Sequence, residues 1–233
     1  MTSYIFRKEK YFKEAKNVYK NYPTDVSDME HILEKMLKST PEASSFRKKV
    51  WIYQVAAERA DVKIFPSNPF YGEIDTGRER NSVTSSFPPQ SGIGCWLMKQ
   101  YPDFVDKYEK WSSYYGRRGV MNGPQFMDAS HHYADCESVL KYGLSGIIKR
   151  IKERIKDKSL TKHQVDFLDC LREVCESLIL IARRFSQKAE EMMSTETDPL
   201  SRDVLKQIRD TAQKIPLYPA ETFYEAMCAV WFT

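Results

Sequence analysis

Apolar residues recur at helical spacing over most of this chain and lose that spacing in its middle. Residues 7–20 and 25–38 each repeat at the helical period, with Ile32, Leu33, Met36 and Leu37 marking the second face. In the next stretch, "STPEASSFRKKVWIYQVAAERAD", Thr40 reads as a cap and Pro41 as a first helical residue. Phe46, Val50, Tyr53 and Ala57 then fall on one face.

From 62 to 134 the period breaks. "FPSNPFYGEIDTGRERNSVTSSFPPQSGIG" gathers the prolines, glycines, serines and asparagines that make turns, and only 101–114 reads as a helix. So long an irregular run inside a compact domain is either functional or packed against something larger.

The helical period returns at 136–157, where Val139, Leu140, Leu144, Ile147, Ile148, Ile151 and Ile155 form a stripe. Thr161 and Gln164 fit a capping box ahead of a helix running through Leu168, Leu171, Val174, Leu178, Ile181 and Phe185 to about Met193. Asp198 and Pro199 open a helix over 199–214, and Pro219 opens a last one. In that last helix Ala226, Met227, Ala229, Val230, Trp231 and Phe232 are almost unbroken apolar residues. An outer helix ordinarily carries a polar face. The pattern therefore predicts a contiguous apolar surface over 199–233, awaiting the rest of a larger protein or a partner.

Composition narrows the function classes. Hydrophobic residues make up 42% and charged residues 29%, as in an ordinary globular protein. The net charge of +4, from 36 basic and 32 acidic residues, is too slight and too dispersed to argue for nucleic acid. No stretch has the length and apolarity of a membrane span, and "MTSYIFRKEKYFKEAKNVYK" lacks the apolar core of a secretory signal, so a cytoplasmic protein is expected. The cysteines Cys95, Cys136, Cys170, Cys175 and Cys228 form no CxxC pair and read as reduced, mostly buried thiols.

Several side chains could carry chemistry. "FMDASHHYADC" places His131, His132, Asp135 and Cys136 just ahead of a helix. Adjacent histidines diverge by about 100° on a helix and are poor joint ligands of one ion. No HExxH or CxxC completes a metal site. Asp135 is best explained as the N-cap of the helix that follows. Cys95, in "SGIGCWL", has the glycine-flanked setting of an exposed nucleophile, but no neighbouring base, and reads as a buried thiol at a loop-to-helix junction. Glu73, Asp75, Arg78, Glu79 and Arg80 offer carboxylates for acid–base work and read as a solvated loop with local ion pairs. "KRIKERIKDK" is the water-facing side of a helix.

Three segments together carry a resemblance. "HYADCESVLKYGLSGIIKRI" looks like the glycyl radical enzyme segment in which a histidine and an aspartate precede "VLxxGLxGII". "ARRFSQKAEEMMSTETDP" resembles that family's "RYAxxAxxxAxxExDP" helix and exit turn. "IPLYPAETFYEAMCAVWF" is similar to its "VPxxPAxTFxEAxQxxWF". Their order and spacing match too, and the similarity covers roughly 60–233. The family is the pyruvate formate-lyase-like group, whose members are formate acetyltransferases, lyases, dehydratases and decarboxylases of anaerobic metabolism.

The resemblance implies a mainly α structure: the helical N-terminal portion of an α/β barrel fold, with the barrel core incomplete. It implies one region over 1–233, made of a helical lead (1–60), an irregular segment (61–134) and long helices (135–233). The family's chemistry needs a glycyl radical, installed by a radical S-adenosylmethionine activase and passed to a mid-chain cysteine. No glycine loop of the "RVxGY" kind occurs here, and the surroundings of Cys95 do not match the family's thiyl cysteine. The chain is thus expected to be a fragment or subunit of a lyase or dehydratase, binding no cofactor and holding no catalytic residue of its own. Its expected partner is a missing C-terminal portion or complementary subunit, with homo-oligomers in the intact enzyme.

His131 matches a histidine at the edge of the family's substrate cavity and is the one substrate-binding candidate, in the intact assembly only; Ser130 replaces the usual glycine before it. The alternatives are a stand-alone helical interaction or regulatory domain, and a hydrolase or thiol enzyme using Cys95 or the His131 region.

Overall fold

The computed structural model describes residues 7–18, 25–68, 70–77, 92–118 and 135–232. Among them the architecture is mainly helical. Helix α1 spans Lys8–Val18, α2 Ser27–Ser39 and α3 Ser45–Arg59. Strands β1 (Asp61–Lys63) and β2 (Glu73–Asp75) pair antiparallel, with Val62 opposite Ile74. A 3-10 turn, Gly92–Gly94, leads into α4 (Cys95–Lys99) and α5 (Pro102–Gly116). The remaining helices are α6 (Cys136–Ile155), α7 (Lys162–Met193), α8 (Pro199–Lys214) and α9 (Phe223–Trp231).

Helix α7 is the axle. Its 32 residues reach about 48 Å at 1.5 Å per residue, and α3, α6, α8 and β1 pack along it. Its capping box forms: Thr161 Oγ1 accepts from Gln164 N, and Gln164 Oε1 accepts from Thr161 N. Ile181 and Phe185 of the expected stripe are buried, but Leu171 is 40% exposed, and Cys170, Ala182 and Ala189 share the buried face. Small residues on the buried side let α8 approach closely, a preference that a count of large apolar residues misses.

Two apolar clusters result. The larger joins α6, α7, α8 and α9 around Phe185, Leu205, Ile208 and Ile215, with Tyr71 inserted among Phe185, Trp231 and Phe232 at ring separations of 4.8–5.4 Å. The smaller joins α2, α3 and α4 around Leu33, Ile52 and Trp96. Each such side chain, fully buried, contributes about 1.5–3 kcal/mol. Helix α3 belongs to both clusters, Ala57 facing one and Trp51, Ile52, Val55 and Ala56 the other. The single face expected for it is therefore too narrow.

Polar clamps fix the helices to one another. Arg47 on α3 donates to Asp166 (2.8 Å) and Glu173 (2.7 Å) on α7, while Ser44 and Gln54 donate to the same two carboxylates. Arg7, just before α1, and Lys10 on α1 both reach Asp198 at the start of α8, with Lys10 at 2.8 Å. Asp198 occupies the cap position as expected, but its carboxylate serves α1 and Ser201 Oγ rather than an α8 amide.

Three helix starts differ from expectation or meet it for local reasons. Thr40 ends α2, and Ser44 caps α3 by accepting from Arg47 N at 3.1 Å, so Pro41 lies in a turn. The last helix begins at Phe223 rather than Pro219, because Thr222 and Glu225 form its capping box. Asp135 caps α6 as expected, accepting from Ser138 N at 3.1 Å.

Candidate functional site

Among the described residues, those singled out in the sequence do not converge. His131 and His132, like Arg78, Glu79 and Arg80, lie outside the described residues. Asp135, which follows the histidines, is exposed, and its bonds from the Ser138 side chain and backbone hold its carboxyl below the usual aspartate range. A carboxylate so held accepts hydrogen bonds and is a poor general acid near neutrality. Among the described residues no group of three or more His, Cys, Asp or Glu side chains could hold a metal ion.

Asp75 and Glu73 do not form the solvated loop expected of them. Asp75 is buried in β2, ion-paired with Lys63 of β1, and accepts from Gly77 N at 3.1 Å. Lys63 and Asp75 are twelve residues apart and meet only because the strands pair, so Asp75 is committed to the ladder. Cys95 sits at a loop-to-helix junction as expected, but exposed rather than buried. Cys170 and Cys228 are buried and Cys175 is partly so; burial pushes each of the three thiols up to about 11, the opposite of an activated thiolate.

What the structure does bring together is two of the sequence motifs. Helix α6 is broken at Gly143, which has φ +62° and ψ 172°. The segment between α8 and α9 docks into that break. Leu144 N donates to Pro216 O (2.9 Å), Ser145 N donates to Leu217 O (3.0 Å), and Ala220 N donates to Leu140 O (3.3 Å). The Ile215–Pro216 peptide is cis. Thus "VLKYGLSGII" and "IPLYPAETF" interlock through their backbones.

Gly143 serves this joint in two ways. Its left-handed backbone opens the helix, and a Cβ there would stand 2.6 Å from Leu217 O. The docked segment is held from the other side by Lys214, whose ammonium donates to Glu221 (2.8 Å) and Glu225 (2.9 Å). Glu225 Oε2 in turn accepts from the Glu221 and Thr222 amides. Burial works against the charge of Glu225, yet these bonds keep its carboxyl below the usual range. With backbone groups paired across the break, the joint positions chain rather than reacting. It fixes the break in α6 against the segment that leads into α9. The glycine inside an apolar stripe was the sequence signal; the partner segment, some seventy residues on, had none.

Helix α9 completes this end. Phe232 is buried at 6% exposure and Trp231 is half-buried, so the final aromatic pair is not the exposed surface expected of it. The apolar surface lies instead on Phe223, Met227 and Val230, which are 82%, 41% and 41% exposed and spaced i, i+4, i+7 along one face. No described helix is long and apolar enough to cross a membrane.

Comparison with known proteins agrees with the interlocked motifs. The model of the pyruvate formate lyase-like family matches residues 72–233. Isethionate sulfite-lyase of Oleidesulfovibrio alaskensis is 35% identical over 104 residues, which cover 42% of this chain and 12% of that protein. Trans-4-hydroxy-L-proline dehydratase of Clostridioides difficile is 26% identical over 116 residues, covering 46% of this chain and 15% of that protein. In overall fold, the chain superposes on the Roseburia inulinivorans protein of 1,2-propanediol dehydration with a TM-score of 0.62 at 18% identity, covering 96% of this chain and 32% of that one. It superposes on a glycyl radical enzyme of Archaeoglobus fulgidus with a TM-score of 0.60 at 20% identity, covering 96% and 33%. The chain therefore spans about a third of these solved structures and matches a smaller share of the curated relatives. With the family model matching 162 of 233 residues (72–233), the chain belongs to the pyruvate formate lyase-like family of glycyl radical enzymes.

Proposed function

We propose that this chain is the helical N-terminal portion of a glycyl radical lyase or dehydratase, supplying scaffold and one wall of the substrate cavity but no radical chemistry of its own. The observation that carries this reading is the interlock at Gly143, where two family motifs are fixed backbone to backbone. Both motifs are ones in which the chain resembles the family, and the joint holds the break in α6 against the start of α9.

In this reading the barrel core is completed by further polypeptide, either continuous with this chain or a separate subunit. The glycyl radical, when installed by a radical S-adenosylmethionine activase, supplies hydrogen abstraction from that other part. The residues of this chain bind and orient. His131 is the substrate-facing group, presenting its imidazole to a substrate hydroxyl, and Asp135 anchors its segment to α6. The apolar face of Phe223, Met227 and Val230 is where the remainder packs, since an exposed row of large apolar side chains is stabilised by burial. The enzyme works in the cytoplasm under anoxic conditions. Lyase and dehydratase relatives both match this region; in this reading, residues of the further polypeptide choose the leaving group.

Native material tests this. An antibody raised against α8 and α9 should recover, from anoxically grown cells, either a polypeptide much larger than 27.3 kDa or a tight complex with a second one carrying the cysteine and glycine loops. A lone species of 27.3 kDa without such a companion would favour the stand-alone helical domain instead.

A further inference from the structure

We propose that α1 is a reversible strap, which docks and undocks as one piece because the Asp198 carboxylate either clamps it or caps α8. The docked face of α1 is polar. Arg7, just before the helix, and Lys10, Tyr11, Glu14 and Ala15 within it are spaced i, i+3, i+4, i+7 and i+8 and turn toward the body, while the residues between them are exposed. No described side chain of α1 is fully buried, and none joins either apolar cluster. Tyr11 meets the edge of Phe65 with ring centres 5.5 Å apart, and Glu14 accepts from Ser67 N at 3.1 Å. With 11 residues, α1 is shorter than the about 12–15 below which an isolated helix is marginal in water. It is therefore helical because it is docked, and it leaves the body by unfolding as a unit.

Asp198 gives the docking its second state. It stands at the N-cap of α8 with the extended backbone of such a cap (φ −75°, ψ 118°), and aspartate is among the residues preferred there. Yet its side chain accepts nothing from an α8 amide. Its Oδ2 accepts instead from Arg7, from Lys10 Nζ at 2.8 Å and from Ser201 Oγ at 2.8 Å. Arg7 and Lys10 also donate to Ser201 Oγ, at 2.9 and 2.7 Å. Docking thus draws the carboxylate away from the first turn of α8, where the Leu200 and Ser201 amides have no intrahelical acceptor.

Undocking returns it. A rotation of the Asp198 side chain then makes the missing cap, so each state satisfies groups that the other leaves open. The docked state rests on charges near the surface, so salt weakens it while leaving the cap in place. Undocking also opens the Ser201 hydroxyl and the edge of Phe65, which are 0% and 2% exposed beneath the docked helix.

Hydrogen exchange of the wild-type 233-residue chain, read by mass spectrometry, tests the proposal. Amides of α1 should exchange faster than those of α7. They should speed up by about tenfold between roughly 0.1 M salt, where charges are screened beyond about 10 Å, and roughly 1 M, where the distance is about 3 Å. The α7 amides should not change, which controls for the fold. Arg7→Ala combined with Lys10→Ala should release α1 by a similar factor at low salt. In that variant the Leu200 and Ser201 amides should slow by about threefold, as Asp198 turns to cap them. Asp198→Ala should speed α1 without slowing them. An α1 that exchanges only together with α7, or that ignores salt, overturns the proposal. So do Leu200 and Ser201 amides that exchange faster in the Arg7 and Lys10 variant, since the carboxylate would then not be shared. None of these outcomes depends on whether the chain is part of a radical enzyme.

Discussion

Gly143 shows how one residue governs this end of the molecule. Every other residue type would strain at φ +62° and push a Cβ to 2.6 Å from the Leu217 carbonyl oxygen. Gly143→Ala should therefore cost about 3 kcal/mol or more, from the sum of backbone strain and overpacking. Gly146, in the same motif, has helical dihedrals, and a Cβ there would meet Tyr142 Cβ at 2.8 Å but no atom of the docked segment. Gly146→Ala sets up to about 1 kcal/mol of helix propensity against that overlap and should cost clearly less than Gly143→Ala. Urea unfolding of the two variants checks the pair, and equal losses would show that the break in α6 is not what Gly143 serves. Asp135 belongs to this scale too. Its cap was legible because the bond to Ser138 N spans three residues and needs no tertiary information.

At the scale of elements, long-range ion pairs decide the assembly. Arg47 joins α3 to two carboxylates of α7 that lie 119 and 126 residues away. Arg47→Ala leaves Asp166 and Glu173 facing each other without their cation and should lower stability by about 1–3 kcal/mol, read by chemical denaturation. A loss below about 0.3 kcal/mol would mean the clamp is solvent-screened like an ordinary surface pair.

Helix α1 is tied down differently. The bonds from Lys10, Arg7 and Ser201 hold the Asp198 carboxyl well below the usual range. The unfolded chain, with an ordinary aspartate, takes up its proton first as pH falls. The stabilisation from this group is therefore complete above the ordinary aspartate range and is lost as pH drops through it and below. The melting temperature of the wild type should exceed that of Asp198→Asn at pH 7, and the gap should narrow steadily as pH falls below the ordinary aspartate range; a gap as wide at pH 2 as at pH 7 would contradict the assignment.

None of these clamps was legible in the sequence, since each depends on helices meeting in space. The helices themselves were legible, because a stripe and a cap are local. The misplacement of the α3 start at Pro41 instead of Ser45 had a local cause, two candidate caps, Thr40 and Ser44, within five residues.

For the whole molecule, the two clusters around Phe185 and Trp96 make a helical scaffold that leaves an exposed apolar row on α9. The apolar run in α9 announced itself, although Phe232 turned inward against Tyr71 because the docked segment before α9 rotates the helix toward the core. The site was the least legible part. His131 lies outside the described residues, while the joint at Gly143 is built of glycine, proline and backbone amides, which carry no chemical signature. The decisive measurement is electron paramagnetic resonance of the purified chain after anoxic incubation with a radical S-adenosylmethionine activase, S-adenosylmethionine and reductant. No glycyl radical signal should form, and hydroxyproline, isethionate, glycerol and propanediol should all remain unconsumed. A stable glycyl radical on this chain alone, or turnover of any of these compounds, would contradict its role as a scaffold completed by further polypeptide.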